Sequence, residues 1–203
     1  NNIADLFVSS ILLYQRVALL STGGRKMRQT EQNVSPMSNE GRNAYVIKHL
    51  TEALISLLAK KPIEDISISE LVDTAGVGRA SFYRNYECKE DILRRYLHEK
   101  THEWVGEWDK NRGEPLSEQI RIMIAHFEAN RTFYKLLNER KLTYLLKDVI
   151  IGICGPKPEY EKTQAYAAAF VAYTLYGWID VWFQRGMAEA ADEIAELFKV
   201  QGL

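Results

Sequence analysis

Cysteine is scarce in this chain: two in 203 residues, Cys88 and Cys154. They lie far apart and share no metal-ligand spacing, which argues against a disulfide scaffold and fits the reducing cytoplasm. An excess of charge of one sign is also missing. Lys and Arg number 26 against 27 Asp and Glu, a net charge of −1. No global field draws the chain to nucleic acid, so any such binding must come from a local patch. The sequence shows no strand pattern, no internal repeat, no glycine-rich phosphate loop and no Gly-x-Ser-x-Gly. No nucleophile stands beside an evident base. These absences point away from an enzyme and call for no cofactor. A membrane-spanning run is lacking too. The nearest approach, LFVSSILLYQRVALL from Leu6 to Leu20, is interrupted by Gln15 and Arg16 and is too short and too polar to span. It lacks the basic start of a signal peptide. We expect an amphipathic helix there, packed on the body or on a partner subunit. The alternative is appended sequence, with Met27 and Met37 both plausible starts.

What the chain does have is helical periodicity and enough apolar residues, 46%, for one large or two small domains. Its most informative stretch is Ser67 to Lys89, SISELVDTAGVGRASFYRNYECK. Ser67 is placed to cap the amide of Glu70, and Glu70 to reach back to that of Ser67. Ile66 and Leu71 stand as the hydrophobic staple of this capping box. Leu71, Val72 and Ala75 point inward, and Gly76 sits where a helix exit favours a left-handed residue. A second helix is predicted from Gly78 to Tyr86. Two helices joined by a short glycine-containing turn form a helix-turn-helix. Phe82 and Tyr86, four apart, face the core together. The remaining surface carries Arg79, Ser81, Tyr83, Arg84 and Asn85, donors suited to phosphates and base edges, with no Asp or Glu among them. The plainer alternative is a small helical corner with a solvated face. Lys89 opens the next helix, where a cation opposes the macrodipole, so its charge is expected to serve an external anion.

At these residues the chain resembles the TetR family of bacterial transcriptional regulators. The match is AGVGRASFYRNYECKEDIL preceded by ISISELVDT, strongest from Asn43 to Lys100; YGWIDVWFQRGM further on is also similar to the end of such regulators. Two residues depart from the family pattern. Gly78 stands where a Ser often caps the recognition helix, and Asn85 where a His often contacts phosphate. The resemblance implies a double-stranded DNA operator as partner, a homodimer and a small-molecule inducer. Among the matched positions, Arg79, Ser81 and Tyr83 are candidates for base readout or its support. Tyr83, Arg84 and Lys89 are candidates for phosphate contact, with Ser67 at a helix start as another.

The expected architecture is all-α: an N-terminal three-helix helix-turn-helix unit joined to a helical ligand-binding and dimerisation domain. Its divisions are 1–42, an extension and linker; 43–88, the DNA-binding domain; and 89–203, the regulatory domain. Residues 21–43 carry Arg25, Lys26, Arg28 and Arg42 among Ser, Gly and Asn. They read either as a solvated linker or as a basic arm along the minor groove. The helix opened by Lys89 extends to Lys110, with Trp104 and Trp108 paired four apart. It also contains His98-Glu99-Lys100-Thr101-His102, the H-E-x-x-H pattern of zinc peptidases. Charged neighbours, a missing third histidine and no evident acidic ligand leave a helical zinc enzyme as the rival reading. Phe127, Phe133, Tyr134, Tyr144, Tyr166, Phe170 and Tyr173 lie on the helices that follow. They are either core or the lining of a pocket for an apolar or aromatic inducer. The helix from Glu159 to Arg185 is apolar on nearly all sides and must be covered all round. A four-helix bundle shared by two subunits would do so, with Trp178 and Trp182 at the interface.

Overall fold

The computed structural model describes residues 39–110 and 114–200, without the side chains of residues 108, 109 and 116. The expectations for the N-terminal run, the basic arm before residue 39 and the Trp104–Trp108 pair lie outside the described residues. Among the described residues there are nine α-helices, one short 3-10 turn and no strand, the all-α class expected. None of these helices is long and apolar enough to cross a membrane.

The chain divides into two compact units within α4 (Lys89–Lys110), between Leu97 and His98. The division falls further along α4 than the expected start of the second domain at Lys89. The reason is burial: Ile92, Leu93 and Leu97 are fully buried on the near side of it. The first unit also holds α1 (Asn39–Leu58), a 3-10 turn (Ile63–Asp65), α2 (Ile68–Ala75) and α3 (Arg79–Asn85). α1 turns Leu50, Leu54, Leu57 and Leu58 inward, one face of a 3.6-residue period, and packs against α2 and α3. It starts at Asn39, so Arg42, expected in the linker, is helical.

The second unit comprises the rest of α4 with α5 (Leu116–Ala129), α6 (Arg131–Glu139), α7 (Thr143–Cys154), α8 (Lys162–Gln184) and α9 (Ala191–Val200). α5 packs on α9 and α7 on α8. An aromatic cluster joins α5, α6 and α8: Phe127 lies 4.4 Å from Tyr134 and 6.4 Å from Trp182, ring centroid to centroid, and Tyr134 stacks on Phe183. After α8 the chain reverses through Gly186 and Met187, both at positive φ. The Met187 amide donates to the Trp182 carbonyl at 2.7 Å, and the Trp182 indole donates to the Glu189 carbonyl at 2.9 Å. Glu128 of α5 accepts from the Ala191 amide at 3.1 Å, satisfying a free donor at the start of α9.

Burial separates the expected interface and ligand residues. Trp182 is 1% exposed, its ring packed near Phe127 and Phe183 of the same chain. The seven aromatics do not form one pocket. Phe127 and Tyr134 are fully buried, whereas Tyr144, Tyr166, Phe170 and Tyr173 are exposed. Their spacing along the sequence was right for helices, but the side chains leave α8 and α7 on the outward face. Asn130, which immediately precedes α6, makes no side-chain cap there. Its amide donates to the His126 carbonyl at 2.9 Å and closes α5.

Candidate DNA-binding surface

The surface is built on two short helices, each held by its ends. At the start of α2 the Ser67 hydroxyl accepts from the Glu70 amide at 3.1 Å. Its own proton remains available to a further acceptor. Glu70 pairs with Lys61 at 2.7 Å. That contact chiefly lowers its carboxyl pKa against partial desolvation, and the Ser67 amide lowers it further. At the other end Gly76 adopts φ 65°, ψ 32°, and the Val77 amide donates to the Val72 carbonyl at 3.0 Å. This is the Schellman exit that a Cβ-free residue makes cheap. α3 follows at once. Gly78 offers it no capping side chain, so the missing Ser has a structural counterpart.

α3 is anchored by Phe82, fully buried, and by Tyr86 just beyond its end, their rings 6.1 Å apart. That anchoring turns Arg79, Tyr83 and Arg84 outward, with Ser81 half-buried. The Arg79 guanidinium lies 5.9 Å from the Tyr83 ring centroid, a cation–π distance that orients both groups. Asn85 is partly committed, its amide donating to the Ser81 carbonyl at 2.9 Å.

Lys89 does not stand as expected. Its ammonium donates to the Ile63 carbonyl at 2.5 Å and to the Ile66 carbonyl at 2.6 Å. The side chain is half-buried and turned toward the 3-10 turn, not out into solvent. The cation that opposes the dipole of α4 is thus compensated by two carbonyl dipoles.

The fold also adds residues that sequence reasoning missed. A groove runs between the first turns of α1 and the helix-turn-helix, lined by Arg42, Tyr45, Ser81 and Arg84 among others. Arg95 of α4 shares a second groove with Tyr83 and Arg84. Arg42 was visible as a charge but read as part of a linker or a basic arm, not of a helix. Arg95 carried no signal, since only the fold brings it beside α3.

His98 and His102 lie on the outer side of α4, ring centroids 5.1 Å apart. Among the described residues no group of three or more His, Cys, Asp or Glu converges as a metal site, so the zinc reading finds no third ligand there. The His98 pKa is lowered by partial desolvation first, then by His102 and Lys157.

Two family models match the chain: "Bacterial regulatory proteins, tetR family" over residues 50–96 and "Transcriptional regulator C-terminal region" over residues 114–200. A solved structure described as "Structural analysis of fatty acid degradation regulator FadR from Bacillus halodurans" aligns with a TM-score of 0.48 at 16% identity, covering 74% of this chain and 91% of that one. No curated protein matches.

Proposed function

Because the chain belongs to the TetR family of bacterial transcriptional regulators, we propose that it works as a cytoplasmic homodimeric repressor released from its operator by a small ligand. The observation that carries the DNA-binding reading is the outward row Arg79, Tyr83 and Arg84 on a helix whose other side is locked by Phe82. Such a helix enters the major groove as a rigid unit, and a symmetric dimer reads a near-palindrome. Ser67, Arg79, Ser81, Tyr83 and Arg84 are the proposed contacts, with Arg42 and Arg95 added at the phosphates. Selection of bound fragments from genomic DNA tests this: the enriched fragments should share an inverted repeat. Enrichment of nothing would sink the reading.

The dimer reading is supported by a stripe on α8. Tyr166, Phe170, Tyr173 and Val181 are all exposed and recur at helical spacing. Trp178 and Val181 line a shallow apolar groove with Leu197 of α9. A second copy of this chain covers that stripe, with Trp178 the more exposed of the two tryptophans that line the groove.

The ligand reading rests on polar groups inside the second unit. The Thr101 hydroxyl is fully buried and has no hydrogen-bond partner among the described residues, and the Tyr134 hydroxyl lies 3.4 Å from His126. Unsatisfied buried polar groups are costly, so a largely apolar ligand with one polar group suits this interior. In a thermal-shift screen, lipophilic acids and alcohols should stabilise the protein and metabolite phosphates and sugars should not. Thr101→Val should keep the fold and lose the shift.

A further inference from the structure

Lysine is the wrong residue for the first position of a helix. The N-terminus carries partial positive charge, which favours the Glu90 and Asp91 that follow and disfavours Lys89. The structure shows what offsets this cost. The Lys89 ammonium spends two of its three donors on the carbonyls of Ile63 and Ile66, at 2.5 and 2.6 Å. Such charge-assisted bonds are short and strong. Both acceptors are rigidly held, since Ile63 and Ile66 are 3% and 1% exposed. Ile66 immediately precedes Ser67, whose hydroxyl caps α2. Lys89 therefore ties the first turn of α4 to the entry of α2.

The opposite end of the motif is tied to the same turn. Asp91 accepts from the Glu87 and Cys88 amides at 3.1 and 3.0 Å, fixing the segment that leaves α3. Between these two ties the Schellman turn at Gly76 joins α2 to α3 with little freedom. Both ends of the helix-turn-helix are thus tied to the first turn of α4.

We infer that Lys89 is a positioning residue for operator recognition: it sets the orientation of α2 and α3 against α4 and makes no phosphate contact of its own. The inference rests on the DNA-binding reading above. It separates two quantities that a phosphate contact would change together. A lost phosphate contact weakens operator and random DNA alike and lowers the slope of log K against log salt by about one. A lost positioning residue weakens the operator selectively, because base readout needs geometry and non-specific attraction does not.

The experiment is a salt titration of operator and random duplexes with the full chain and two variants. Lys89→Met keeps the aliphatic stem and removes all donors. Lys89→Gln keeps a neutral donor on a side chain one bond shorter. Circular dichroism first establishes that each variant is folded at the temperature used. For Lys89→Met we expect about a tenfold loss on operator, the scale of a removed charge-assisted bond, with random-duplex affinity and salt slope unchanged. Lys89→Gln should fall between it and the parent. Equal losses on both duplexes with a reduced slope would overturn the inference, as would an unchanged operator affinity in either folded variant. A parent chain that itself prefers no duplex would instead remove the DNA-binding reading, an outcome distinct from variants that match a discriminating parent.

Discussion

Single side chains in this protein divide between those whose role follows from near neighbours and those whose role needs the whole fold. Ser67, Gly76 and Phe82 are of the first kind. A cap, a left-handed exit and a buried i, i+4 partner are local decisions, and the sequence states them. Lys89 is of the second kind. Its acceptors stand more than twenty residues upstream, and no spacing rule announces them. Phe127 and Tyr134 belong there too, since an aromatic on a predicted helix reads equally well as core or as pocket. Two substitutions separate these classes. Tyr83→Ala removes an outward ring from a surface 53% exposed and should weaken operator binding in an electrophoretic mobility titration with little change in melting temperature. Phe127→Ala empties a site in the aromatic cluster and should cost about 3–5 kcal/mol of unfolding free energy, read by urea denaturation.

Among the helices, α8 shows how far periodicity reaches. Its composition declared that it would be covered on most sides. The sequence could not say which residues face the home subunit, because tryptophan, phenylalanine and tyrosine occur on every side of it. The structure assigns Ala168, Val171, Ala172, Leu175, Ile179, Trp182 and Phe183 to the interior and leaves Tyr166, Phe170, Tyr173 and Val181 outside. The small alanines allow close approach on one side, and the large rings project on the other. A charge introduced on each side of the helix separates the two roles. Val181→Glu should yield a folded monomer by sedimentation, since a carboxylate in an apolar interface is costly unless paired. Trp182→Glu should instead lower stability within the subunit, because it buries the charge beside Phe127 and Phe183. A dimeric Val181→Glu would move the interface to another surface. α1 illustrates a boundary error of the usual kind. Asn39 and Glu40 suit a helix start, but Gly41 among them favours a linker reading, and these four residues form a helical turn carrying Arg42.

As a whole, the molecule has almost no net charge, so its attraction to DNA is local, and its stability has a definite pH sense. Burial lowers the His126 pKa, with Glu103 opposing and Lys100 assisting. The His98 pKa is lowered in the same direction. A histidine held below its ordinary value of 6.5 in the folded state takes up protons more readily when unfolded. Stability is therefore fully present above that value and is lost as pH falls through it toward the folded pKa values. Thermal unfolding followed from pH 8 to pH 5 should show this decline, and His126→Gln should flatten it.

The division within α4 has an optical consequence. All four tryptophans, at positions 104, 108, 178 and 182, lie on one side of it. The first unit is dark when tryptophan is excited selectively, and every emitted photon originates in the second unit. Operator added to the unlabelled protein changes that emission only if the event at α3 is felt beyond Leu97. The chain thus carries its own reporter of communication between its halves, and the size of the spectral change on binding DNA measures it directly.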